Sequence, residues 1–278
     1  MGLLLSTVIA CVAGTSQTTP VAYHSFMCGR HGYHAVQVDM STGKVAASVV
    51  SAPHLTSVWR MVDKVRPIVA ITGTFFDVRS QKPIADVLVD GDLTSHGSRG
   101  TVVAIDWFGA VSIFDRPFRS DVDWSAFRYG LRGAVRIVRG GRVQPDPRAQ
   151  RFHDRRIWGR ASRSGLGLTK GGKLLLVVTR EKVTLSEFGR AMRSQGVVDG
   201  VSLDGGGSTC MYYKGNLVVS PHRRLDNLFV VCLKAPDRLT EAPLNPLSSP
   251  RRDGALWRMP PLRPSGARMR APSPILGR

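Results

Sequence analysis

The stretch Val201-Ser202-Leu203-Asp204-Gly205-Gly206-Gly207-Ser208-Thr209-Cys210-Met211-Tyr212-Tyr213-Lys214-Gly215-Asn216 organises the reading of the whole chain. A short apolar strand arrives, the chain breaks at Asp204 into consecutive glycines, hydroxyls follow at Ser208 and Thr209, and a second β-prone run leaves toward a Lys-Gly-Asn turn. A glycine forgoes side-chain packing and loses more backbone entropy than any other residue, roughly 0.5–1 kcal/mol against Ala. A cluster of them at a strand end implies that the backbone itself approaches something. Main-chain N–H groups in such a turn form a concave donor site for anionic or sugar oxygens, and Asp204 places a carboxylate beside it. The alternative is a tight strand-to-strand turn with a capping Asp, and both readings stand at this point. A Walker P-loop is excluded, because no Gly-Lys-Ser/Thr follows at the required spacing.

The chain upstream explains how this loop is delivered. Thr184 and Glu187 form a capping box, with Leu185, Phe188 and Met192 on one helical face, and the helix returns through Gly196 to the strand that enters Asp204. Before it, Leu166-Gly167-Leu168 and Leu174-Leu175-Leu176-Val177-Val178 flank Lys170-Gly171-Gly172 as a hairpin. Residues 84–114 read as a meander with Asp90-Gly91 and Phe108-Gly109 turns, and residues 135–143 as a short hairpin around Gly140-Gly141. The Arg-rich segment 144–162 lacks apolar period and is expected to be a solvated insertion or flap. Further back, residues 33–51 alternate as a β-hairpin. Val58, Met61, Val62 and Val65 define a helix capped by Ser57 and stopped by Pro67, and the buried strand Ile68-Val69-Ala70-Ile71-Thr72 runs into Gly73-Thr74-Phe75-Phe76-Asp77. The expected fold class is α+β: a mixed, largely antiparallel β-sheet with a few packed helices, in a single domain over residues 23–234.

The termini read differently. Residues 1–22 are expected to be a signal or leader segment, from the apolar run Gly2 to Ala13 and its small, polar exit. Val8-Ile9-Ala10-Cys11 also has the form of a lipoprotein box, so Cys11 is either removed with the leader or made into a lipid anchor, the only membrane attachment expected. Either route places the mature protein outside the cytoplasm. Residues 235–278 are dense in proline and arginine without hydrophobic period and are expected to be a disordered tail. The excess of 39 Lys+Arg over 20 Asp+Glu gives a formal charge of +19, which suits an anionic partner. Nucleic acid finds no support as that partner, since stacking aromatics are not interleaved with the basic clusters. No zinc-ligand spacing occurs among the cysteines or histidines, so no metal and no cofactor are assigned.

Four motifs then stand in one order: Thr72-Gly73-Thr74-Phe75-Phe76-Asp77, Arg163-Ser164-Gly165-Leu166-Gly167, Leu203-Asp204-Gly205-Gly206-Gly207-Ser208-Thr209, and Arg223 with Asn227 before an apolar strand. This order resembles the phosphodiester glycosidase family over roughly residues 32–231. The resemblance implies an exported hydrolase that cleaves the bond between a sugar and a phosphodiester, with a sugar-phosphate-containing glycan or a small glycoside as substrate. It also implies functional positions at Asp77, Arg163, Asp204, Ser208, Thr209, Arg223 and Asn227, with Thr72, Gly73, Gly205, Gly206 and Gly207 lining the substrate. The chain departs from the family where Thr72 replaces the usual Asn, Thr74 a frequent Gly, Ser164 a Thr, and Cys210 a hydroxyl or small residue. An amide both donates and accepts, whereas Thr offers one hydroxyl, so Thr72 implies a changed substrate choice or a reduced activity.

The chemistry of the residues agrees. Expelling a phosphate monoester needs charge neutralisation more than a strong general acid, and an arginine fork holds phosphate oxygens bidentately at any working pH. Arg163 and Arg223 are the expected clamps. Positive charge accumulating at the anomeric carbon requires one carboxylate to stabilise or attack it and another to handle water; Asp204 and Asp77 are the candidates, in either order. The competing assignments are that Asp77 caps a turn and Arg163 pairs with a structural acid. The rival function is a non-catalytic glycan- or polyanion-binding protein on the same fold.

Overall fold

The computed structural model describes residues 19–77 and 79–234. The cysteine expected to carry a lipid, Cys11, and the proline-rich tail lie outside the described residues. The first strand, Val21–Cys28, begins inside the segment read as leader, and Val21 is buried opposite Val38. The final strand is Leu225–Leu233.

Two antiparallel sheets stack face to face. The larger runs Val21–Cys28, His31–Val38, Leu174–Val183, Ala161–Thr169, Val197–Ser202, Phe127–Arg139, Val87–Val89, Asp92–Ser95 in spatial order, with a further hairpin, Thr101–Asp106 and Val111–Phe114, on the long strand Phe127–Arg139. The smaller runs Asn216–Val219, Met211–Tyr213, Val69–Thr72, Leu225–Leu233, Val45–Thr56. Between them lies one apolar layer to which both contribute: Val36, Leu166, Leu176, Val201 and Leu203 from the larger sheet, Val49, Ile71, Met211 and Phe229 from the smaller. Each such side chain removed from water contributes roughly 1.5–3 kcal/mol.

A helix covers the outer face of each sheet. Helix α1 (Val58–Val65) starts at Ser57, whose Oγ accepts from Arg60 N, and ends at Arg66 in the left-handed conformation, φ 47°. It places Val58, Met61 and Val62 against Val50, Ala70, Leu228 and Val230. After the short turn α2 (Arg155–Trp158), helix α3 (Leu185–Ser194) has the expected capping box and packs Leu185, Phe188 and Met192 on Tyr33, Leu175 and Val177. Strands covered on both faces have no side free for polar residues. That is why Leu174–Val183 begins as a continuous apolar run, with Leu174, Leu176 and Val178 facing inward and Leu175 and Val177 facing α3. Among the described residues no helix is long and apolar enough to cross a membrane.

The expectation of a largely antiparallel β fold with few helices in one domain holds, with strands dominating. Three details differ. The two strands of the expected hairpin over 33–51 lie in different sheets: His31–Val38 pairs with Val21–Cys28 and Leu174–Val183, whereas Val45–Thr56 pairs with Leu225–Leu233. The turn Met40–Thr42, capped by Asp39 and closed by left-handed Gly43, carries the chain from one layer to the other. The strands after the glycine loop likewise belong to the second sheet and not to the one that delivers the loop. The Arg-rich segment 144–162 is anchored as well as solvated, because Phe152 is buried against Phe75.

Candidate active site

The glycine loop sits where the two sheets meet. Strand Val197–Ser202 of the larger sheet ends, Leu203 N donates to Ser164 O, and Asp204 N then crosses to Gly73 O at 3.1 Å, at the end of strand Val69–Thr72 in the smaller sheet. Gly73 N returns to Asn227 O at 3.2 Å and Thr74 N to Asn227 Oδ1 at 2.7 Å. A β-carbon on Gly73 would overlap Asn227 Oδ1, and one on Gly205 would stand 2.5 Å from Ser162 O, so both glycines are required by close approach. Gly206 is left-handed, φ 58°, and opens the single turn Gly206–Ser208.

Asp204 is buried and makes a compact polar cluster. Its Oδ1 accepts from Gly205 N at 2.8 Å, and its Oδ2 from Arg223 Nη2 at 3.1 Å. Arg223 Nε donates to Ser208 Oγ at 2.6 Å, and the guanidinium lies over the Phe76 ring, 4.8 Å from its centroid. The Arg223 side chain is 39% exposed against 7% for Asp204, so the pair has an inner acid and an outer cation. Burial pushes the Asp204 carboxyl above the usual aspartate range; the Ser208 hydroxyl, Arg223 and the Gly205 amide pull in the other direction.

Thr72 serves this cluster from beneath. Its hydroxyl donates to Ser208 O and accepts from Cys210 N at 3.0 Å, with Cys210 Sγ 3.3 Å away, so its hydrogen-bonding capacity is spent on the loop. The Cys210 thiol is pushed up to about 12 by burial and is inert as a nucleophile. The Thr209 and Ser164 hydroxyls are buried without a hydrogen-bond partner among the described residues.

Asp77 and Arg163 are engaged elsewhere. Asp77 is exposed, and its carboxylate caps a turn by accepting from Arg79 N at 2.6 Å and Ser80 N at 3.2 Å. Arg163 is buried and donates to the carbonyls of Val183, Ile157 and Gly159, fastening α2 to the sheet. Burial lowers its guanidinium to about 10, with no acid beside it. Of the positions read from the sequence, the hydrogen bonds therefore join Thr72, Gly73, Gly205, Ser208, Arg223 and Asn227 around Asp204, with Gly206, Gly207 and Thr209 in the same loop.

One residue escaped the sequence reading. Asp226 is 1% exposed in strand Leu225–Leu233; its Oδ1 accepts from Asn227 Nδ2 at 2.8 Å, and its Oδ2 is buried with no partner among the described residues. Burial, reinforced by the charge of Asp204, pushes its carboxyl up to about 7. Its only signal in the sequence is an acid at the head of a strand that turns apolar from Leu228. Two cavities elsewhere, of about 370 Å³ beside Asp115 and Arg139 and about 450 Å³ beside Tyr33 and Glu181, are lined by none of these residues.

Solved structures share this architecture. The zebrafish N-acetylglucosamine-1-phosphodiester alpha-N-acetylglucosaminidase catalytic domain, auto-inhibited by its pro-peptide, is 16% identical with a TM-score of 0.64, over 79% of this chain and 85% of that one. A hypothetical protein from Synechocystis is 15% identical with a TM-score of 0.63, over 77% and 62% of the respective chains. A putative exported protein from Burkholderia pseudomallei is 12% identical with a TM-score of 0.50, over 73% and 74%. At these identities the likeness is one of fold. No curated protein sequence matches the chain. The model of the phosphodiester glycosidase family matches residues 66–232, a span that runs from the turn before Gly73 through Asp204 to the strand carrying Asn227, and so takes in the whole cluster. By that match the chain belongs to the phosphodiester glycosidase family.

Proposed function

We propose that the protein is an exported hydrolase that cleaves the glycosidic bond of a sugar-1-phosphodiester in a surface glycan or glycoconjugate. The observation that carries this reading is the Asp204–Arg223 pair at 3.1 Å beside the glycine loop. Among the described residues Arg223 Nη1 makes no hydrogen bond, which leaves part of the fork for a phosphate oxygen. Asp204 stands behind it as the carboxylate that stabilises, or attacks, the anomeric carbon as positive charge develops. The Gly205–Gly207 backbone and the unpartnered Thr209 hydroxyl supply hydrogen bonds to the sugar. The proposal rests on Asp204 and Arg223 and needs neither Asp77 nor Arg163. Export is supported by the leader-like apolar run at residues 2–13.

The test is steady-state turnover of a sugar-1-phosphodiester against the matching uncharged glycoside. Preference for the charged substrate supports the reading, and preference for the neutral glycoside overturns it. A second reading, a binding protein without catalysis, is favoured by Thr72, whose hydroxyl is already committed to Ser208 and Cys210. Saturable binding of the phosphodiester without turnover would establish it.

A further inference from the structure

Among the described residues the sheet seam holds two buried carboxyls, and an arginine is bonded to one of them. Asp204 takes that arginine. Asp226 has no cation within ion-pair distance among the described residues, and its side chain accepts from the neutral amide of Asn227. A carboxylate oxygen stripped of water and left without a donor is expensive, whereas a carboxylic acid in the same place carries no charge to desolvate. The hydrogen bond to Asn227 survives protonation, because Oδ1 still accepts as the carbonyl of the acid. The Asn227 amide has only one orientation that suits its surroundings: Oδ1 must face Thr74 N, so Nδ2 must face an acceptor, and Asp226 is that acceptor.

We infer that Asp226 holds a proton behind the Asp204–Arg223 pair, a positioning residue that fixes the Asn227 amide and adds no negative charge to the site while an anionic substrate binds. The inference rests on the phosphodiester glycosidase reading only for its kinetic consequence. Asp226 reaches Asp204 by a short path: Asn227 binds Gly73 N and Thr74 N, and Gly73 O receives Asp204 N. The charged and titratable groups on the surrounding elements are Asp204 and Cys210 on the glycine loop, Arg223 and the exposed Arg224 ahead of the strand, Arg60, Asp63 and Lys64 on the solvent side of helix α1, and His54, exposed on the paired strand Val45–Thr56. Of these only Asp204 bears on the Asp226 carboxyl, and its charge favours the protonated form. Ionisation of Asp226 would set a second negative charge beside Asp204 and oppose the incoming phosphate.

The sign for stability is fixed. A carboxyl raised in the folded state opposes folding once the unfolded chain has released the proton that the native state still holds, so its penalty grows from about pH 4 upward and is complete above pH 7. Three measurements test the inference. In wild-type protein, carbon-13 NMR of the aspartate carboxyls should show one titrating near 7; if all titrate with ordinary exposed aspartates near 4, the inference is wrong. Asp226→Asn, which imitates the protonated acid, should gain melting temperature over wild type at pH 8 by more than at pH 5; equal differences at both pH values would overturn the inference. Where turnover is measurable, the wild-type kcat/KM should fall about tenfold for each pH unit above 7, and Asp226→Asn should flatten that limb. The NMR result does not depend on activity: an inactive protein whose Asp226 titrates near 7 would refute the proposed function and leave the acid pair standing.

Discussion

Gly73 and Asn227 occupy each other's space. A β-carbon on Gly73 would stand 2.9 Å from Asn227 Cγ and closer still to its Oδ1. This contact lets the Asn227 amide reach Thr74 N while the backbone of Gly73 serves Asp204. Gly73→Ala should therefore cost about 1–3 kcal/mol, the range for forcing volume into a filled interior, as a lower urea midpoint at unchanged slope. Adding Asn227→Ala should recover part of that stability, because the clash is removed, without recovering turnover. Additive losses in the double-mutant cycle would show that the two positions do not meet.

Asp204→Asn preserves shape and removes the charge, so its effect should fall on kcat by at least on the order of 10²-fold with little change in KM. Arg223→Lys keeps the charge and loses the fork that serves Asp204 and Ser208 together and that the proposed function also offers to phosphate. It should raise KM for the phosphodiester and shrink the preference over a neutral glycoside. Steady-state kinetics on both substrates check the pair; full activity in Asp204→Asn would remove this residue from the mechanism.

Arg163→Leu should release the flap. The substitution leaves the carbonyls of Val183, Ile157 and Gly159 without this donor; the buried Val183 carbonyl left unsatisfied costs about 1–3 kcal/mol, whereas the exposed Gly159 carbonyl can turn to water. Hydrogen exchange of the amides of Ile157 and Gly159, which donate to Asp154 and Arg155, should accelerate more than that of helix α3. A uniform change would mean that Arg163 supports the whole fold and not this segment.

Helix α3 carries an acid-sensitive start. Glu187 is held down to about 2, first by the Thr184 amide it accepts from, then by the Thr184 hydroxyl and Arg160. A carboxyl depressed in the folded state contributes stability that is present above its unfolded value, near 4.3, and is lost as pH falls toward 2. Glu187→Gln should thus lower stability at pH 7 and leave it nearly unchanged at pH 2. Thr184→Ala should cost about 1 kcal/mol at neutral pH. Urea unfolding at the two pH values checks both.

How much of this was written in the sequence depends on what each signal encodes. Period and punctuation identified both long helices, the Lys170-Gly171-Gly172 hairpin and the Asp90-Gly91 turn, because these are local. Alternation over 33–51 marked both strands correctly but not their partners, since the same pattern serves a hairpin and a crossing between layers. The site divides along the same line. Asp204 announced itself through its glycines. Arg163 and Arg223 are indistinguishable as residue types, and only the fold shows that one faces flap carbonyls and the other faces Asp204. Asp226 was illegible because its significance lies in burial and in an oxygen left without a partner, which only the packed fold reveals.

The amide of Asp204 bonded to the carbonyl of Gly73 has one more consequence. Acid and arginine reach the site from opposite layers, so their alignment is decided by how the two layers are seated, and the seating is decided by side chains such as Leu166 and Phe229 that never approach a substrate. The interior works as the adjusting screw of the active centre. A repacked interior that preserved every contact count and every degree of melting temperature would still detune the reaction if it let one layer slip by a fraction of an ångström over the other.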